Sequence, residues 1–77
     1  MATQNRDTYK YHFKVGNVIV HGGITDDLYR RETEHRSSRR YTLHNGKRLY
    51  WKDGHIFQVG GPSTRDGALD WEYEQGF

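Results

Sequence analysis

From Tyr9 to Val15 the chain alternates apolar and polar side chains, Tyr-Lys-Tyr-His-Phe-Lys-Val. A period of two predicts a half-buried strand with Tyr9, Tyr11, Phe13 and Val15 on one face. Gly16 and Asn17 tolerate positive φ and suit a tight hairpin turn. Val18, Ile19 and Val20 form a continuous β-branched run, the pattern of a strand buried on both faces, and Gly22-Gly23 is expected to end it. Thr25, Asp26 and Asp27 then offer capping and acidic side chains, which predicts a helix over about 26–36. Its apolar residues are only Leu28 and Tyr29, so its buried stripe should be narrow.

After a loop at 37–40, two short segments (41–44 and 47–51) flank Asn45-Gly46, a strong hairpin signal. Asp53-Gly54 marks another turn, 55–59 another strand, and Gly60-Gly61-Pro62 a break. Ser63, Thr64 and Asp66 look like capping residues for a helix over 68–74, with Gly76 at its C-cap. The order predicts an α+β fold: a small central antiparallel β-sheet of about three strands, with or without an extra hairpin, flanked by α-helices. The polar, aperiodic start makes residues 1–8 a disordered N-terminus and 9–77 the domain.

Composition narrows the picture. With 77 residues and a hydrophobic fraction of 32%, one small core is the most the chain can build. Aromatic side chains fill much of that volume, and Tyr50, Trp51, Phe57 and Trp71 are expected in the core, Tyr50 or Trp51 being alternatively a base-stacking platform. The absence of cysteine excludes disulfides and thiolate zinc sites and suits a reducing compartment. No apolar run is long enough for a membrane span or signal peptide, so a soluble, cytoplasmic protein is expected.

The net charge is only +2, but it is unevenly spread. Arg30, Arg31, Arg36, Arg39, Arg40, Lys47 and Arg48 crowd residues 30–48 against Glu32 and Glu34, whereas Asp66, Asp70, Glu72 and Glu74 mark an acidic end. A basic middle suits a polyanion, and Arg30, Arg36, Arg39, Arg40, Lys47 and Arg48 are the candidate DNA contacts. A solvated charged face is the plainer reading of the same residues. His12, His44 and His55 carry no assignment, and the five histidines show no zinc-ligand spacing.

Helical spacing singles out a second group. Leu28, Arg31 and His35 share one face of the predicted helix, so an Arg and a His point the same way as the residue that anchors it. Polar groups aimed inward from so apolar-poor a helix are costly unless a charged site receives them.

The stretch from His21 to His35, His-Gly-Gly-Ile-Thr-Asp-Asp-Leu-Tyr-Arg-Arg-Glu-Thr-Glu-His, resembles the core of the GIY-YIG nucleases. Tyr9-Lys10-Tyr11 stands where GIY would be and keeps its tyrosine as Tyr11. His21-Gly22-Gly23 stands where YIG would be, keeping its glycine as Gly23 and replacing its tyrosine with His21. Arg31 and His35 follow at the family's spacing, and Ala68-Leu69-Asp70-Trp71-Glu72 is similar to the family's Ala-Leu-x-x-Glu pattern. The resemblance implies a metal-dependent endonuclease, with Tyr11, His21, Arg31, His35 and Glu72 catalytic and Gly23 a structural glycine. It makes Glu72 the ligand of a Mg²⁺ (or Mn²⁺) ion and DNA the partner.

The chemistry fits those residue types. A carboxylate can hold one hard cation, a guanidinium offers a planar fork of donors to phosphate oxygens, and Tyr11 and His21 would border the attacking water. Imidazole, neutral at pH 7, is a better base there than a phenol titrating near 10. Two other classes fit the same features: a catalytically inactive nucleic-acid-binding module on this scaffold, and a protein-interaction fragment. Metal-dependent nicking separates the first reading from both.

Overall fold

The computed structural model describes residues 7–75. Five strands and two helices follow in the order β1 (Tyr9–Val15), β2 (Val18–Thr25), α1 (Leu28–Ser37), β3 (Tyr41–His44), β4 (Lys47–Tyr50), β5 (His55–Gln58) and α2 (Arg65–Gln75), with a 3-10 turn (Trp51–Asp53) before β5. The fold is α+β, built on a three-stranded antiparallel sheet of order β2-β1-β5 and a separate β3-β4 ribbon. No described helix is long and apolar enough to cross a membrane.

Tyr11 and Phe13, 2% and 0% exposed, project from central β1 and form the core with Trp51. Val20, Leu28 and Ile56 pack around them. Gly54 lies against the Phe13 ring, where a Cβ would stand only 2.5 Å from Cζ, so this turn requires glycine for space. The helix α1 is capped by Asp27, whose Oδ1 accepts from Arg30 N at 3.0 Å. It is tied to β5 by Ile56 N, which donates to Glu32 Oε1 at 2.8 Å. Trp71 of α2 lies beside His12, ring centroids 5.6 Å apart.

Several expectations change. The strand β2 runs through Gly22 and Gly23 to Thr25, because β1 continues to pair with it as far as Tyr9. It is an edge strand, with Ile19 exposed, so 18–20 is not buried on both faces. Tyr50 and Phe57 are exposed rather than core, since each falls on the outer side of a short strand. Thr8 is buried and paired in both directions with Ser63 (3.0 and 2.7 Å), so the ordered part includes it. The expected disorder of residues 1–6 and the Gly76 cap lie outside the described residues.

One irregularity positions the site. Val15 pairs with Val18 and Lys14 with Ile19, but Phe13 pairs with His21. The extra residue, Val20, is a β-bulge. Had the turn's register continued, Phe13 would face Val20, and His21 would point to the opposite face of the sheet. The bulge brings His21 onto the face that carries Tyr11 and Phe13.

Candidate active site

Five side chains from four elements meet on that face. Tyr11 lies across from Gly23 in the β1-β2 ladder. A Cβ on Gly23 would be 2.8 Å from the Tyr11 phenol oxygen and 3.3 Å from Glu72 Oε2. The phenol and the carboxylate of α2 therefore close together over Gly23 and leave no room for a side chain there. The Tyr11 hydroxyl and His35 Nε2 are 2.9 Å apart. His21 stands 5.2 Å from His35 and 6.2 Å from Tyr11, ring to ring.

Arg31 completes the group. Its charge acts on Tyr11, His21 and His35 alike. Its Nε is buried with no hydrogen-bond partner among the described residues, and its one ion pair, to Glu34 Oε2, is long at 3.7 Å. An orphaned guanidinium nitrogen costs free energy that an incoming anion would recover. A cavity of about 350 Å³ opens beside it, with Thr8, Thr25, Asp26 and Arg65 among its lining, and meets the cluster only through Arg31.

Electrostatics set the protonation states. Burial pushes the Tyr11 phenol up to about 12; Arg31 opposes this, while Glu72 and Glu34 add to it. Burial lowers His35 to about 4, reinforced by His21, Arg31 and Arg40 and opposed by Glu34. His21 is lowered by burial and by Arg40 and Arg31, against Glu72. Both imidazoles are thus neutral at pH 7, and the Tyr11 hydroxyl and His35 Nε2 share a hydrogen bond. With the phenol raised to about 12 and the imidazole lowered to about 4, the proton stays on Tyr11. The pair therefore orients the phenol rather than ionising it.

A pH dependence of stability follows. The folded chain holds His35 near 4, well below its ordinary 6.5, so between those values the unfolded chain binds a proton that the folded one refuses. Stability from this group is complete above about pH 6.5, falls toward pH 4 and levels below it. Thermal melts from pH 7 to 4.5 should show Tm falling. His35→Gln, which keeps an acceptor for Tyr11, should make the slope shallower; an unchanged slope would refute the assignment.

The predicted basic contacts separate into distinct places. Arg30 is paired with Asp26 at 2.7 Å and Glu34 at 3.4 Å on exposed surface, where such pairs are weak. Arg36 Nε donates to Lys52 O at 3.2 Å, and with Arg39 and Arg40 it lines a second cavity of about 360 Å³. Lys47 and Arg48 lie on the ribbon. Arg40 stacks on Trp51 at 4.5 Å, and Trp51 lies 5.6 Å from His21, so Arg40 borders the cluster. Sequence reading missed Arg40 as a cluster neighbour, and it missed Arg65 and Lys52. Only Arg40, inside the basic stretch 30–48, carried any signal; Lys52 and Arg65 lie outside it.

Among the described residues no group of three or more His, Asp or Glu side chains gathers in a metal-holding arrangement. Glu72 is the carboxylate beside Tyr11. No family model, curated protein or solved structure matches the chain.

Proposed function

We propose that this chain is a metal-dependent endonuclease of the GIY-YIG type that hydrolyses DNA phosphodiester bonds. The observation that carries the reading is the convergence of the Tyr11 phenol and the Glu72 carboxylate over Gly23, beside neutral imidazoles. The orphaned Nε of Arg31 supports it, since a buried guanidinium nitrogen without a hydrogen-bond partner suits a phosphate oxygen.

A single carboxylate is a ligand that Mg²⁺ or Mn²⁺ accepts, since these hard ions keep most of their waters. When bound by Glu72, such an ion supplies charge to the phosphate and lowers the pKa of water. His21, neutral at pH 7, is the base that accepts the water's proton. Tyr11, held by its hydrogen bond to His35, fixes the water's direction of approach. Arg31 stabilises the charge that builds on the phosphate oxygens. The lack of cysteine supports a reducing, cytoplasmic setting.

The test is nicking of supercoiled plasmid. The purified chain should cut with Mg²⁺ or Mn²⁺ and stop with EDTA, with a Glu72→Gln preparation controlling for contaminating nuclease. No cleavage with any divalent ion, or cleavage equal in the control, would overturn the reading. One observation favours a catalytically inactive nucleic-acid-binding module instead: Tyr11 holds its proton tightly, at about 12. That reading expects salt-sensitive DNA binding, indifferent to EDTA, without nicking.

A further inference from the structure

The β3-β4 ribbon takes no part in the catalytic cluster, and its strands pair only with each other. Its register places Tyr41 across from Tyr50 and Leu43 across from Arg48 on one face, and Thr42 across from Leu49 and His44 across from Lys47 on the other. Thr42 and Leu49 are half-buried, and Trp51 Nε1 donates to Thr42 Oγ1 at 3.0 Å, so the second face leans on the body at its root. The first face is open: Tyr41, Leu43, Arg48 and Tyr50 are all exposed, Leu43 at 64%. Arg48 lies over the Tyr41 ring at 5.0 Å.

From Ser37 to Lys52 the chain carries Arg39, Arg40, Lys47, Arg48 and Lys52 and no Asp or Glu. Arg36, Arg39, Arg40 and Lys52 line the cleft at the ribbon's root, together with Tyr50. That root is pinned to the catalytic cluster. Trp51 N donates to Arg40 O at 3.1 Å, and the Trp51 ring lies 5.2 Å from His35. An extended pair of strands of one charge sign thus grows directly from the edge of the site.

We infer that the β3-β4 ribbon seats in the major groove of duplex DNA, with Lys47 and Arg48 toward the groove and the root cleft against the backbone. The inference rests on the nuclease reading and deepens it, naming double-stranded B-form DNA as the substrate class. The dimensions agree: a major groove about 12 Å wide and about 8.5 Å deep admits a two-stranded ribbon. Each strand has four residues and is roughly 13 Å long, enough to reach the groove floor. Leu43, across from Arg48 near the tip, gives apolar contact to base edges, and Arg48 offers a fork suited to guanine O6 and N7. The charge of the ribbon and its root, all of one sign, selects nucleic acid over a protein partner.

The test compares affinities in EDTA, so it reads binding without turnover and fails separately from the nuclease reading. The full chain is titrated against a short DNA duplex, its separated strands, and an RNA duplex of the same sequence, whose major groove is too deep and narrow to enter. The DNA duplex should bind at least about tenfold tighter than either alternative, and guanine N7 should be protected from dimethyl sulfate. Lys47→Ala with Arg48→Ala, both exposed positions, should weaken duplex binding at least about tenfold and lower the salt slope by about 2. Equal losses on single and double strands, no N7 protection, or unchanged affinity would overturn the inference. So would ribbon-dependent self-association in sedimentation, with DNA binding intact.

Discussion

Glu72→Gln is expected to reduce plasmid nicking by at least about 10³-fold, the equivalent of roughly 4 kcal/mol of transition-state stabilisation. The substitution keeps the shape of the side chain beside Tyr11 and Gly23 and removes only its charge. Tm should stay within about 3 °C, under about 1 kcal/mol for a domain of this size. DNA affinity in EDTA should hold or tighten, because the substitution removes a charge that repels phosphate. The phenol of Tyr11 should titrate lower, since Glu72 is one of the groups raising it. Ultraviolet titration of the variant reads that change even if cleavage proves absent. Full activity in Glu72→Gln would remove the carboxylate from the mechanism.

Gly54→Ala is expected to be the most damaging small substitution for stability. The new methyl would stand 2.5 Å from Phe13 Cζ and 2.7 Å from both Cε atoms. That ring cannot step aside. It is fully buried, with Trp51 edge-on at 5.3 Å and His35 at 5.0 Å. Gly54 has φ of −92°, open to any residue, so the cost is steric rather than conformational. Overpacking of this severity costs about 3 kcal/mol, which lowers Tm by about 10–20 °C in so small a domain. Gly61→Ala, with nothing within 4 Å of the new methyl, is the control and should be neutral or slightly stabilising. Equal melting of the two variants would mean that Phe13 is not confined as described.

Local patterns were legible because they depend on neighbours in sequence. The alternation in β1 placed Tyr11 and Phe13 inside, and Asn45-Gly46 made the ribbon turn with φ of 52° and 76°. Arg31 and His35 fell on one face of α1 by helical spacing, with Leu28 packing at its start. Exposure of short strands was not legible. Phe57 and Tyr50 read as core until the strands beside them were known, because burial depends on what covers a face and not on the residue that occupies it.

The chain's own pattern determined which residues could carry charge and chemistry, where the turns fall, and that strands and helices alternate as they do. Tertiary structure decided which of those residues share a space. The bulge at Val20 shifts β2 by one position, and that single step turns His21 toward Tyr11 instead of away. Packing of α2 brings Glu72 to Gly23 across nearly fifty positions of sequence, and stacking on Trp51 draws Arg40 to the same edge. Spacing along a chain fixes the face of one element, whereas register and docking between elements arise only when apolar surfaces are buried together.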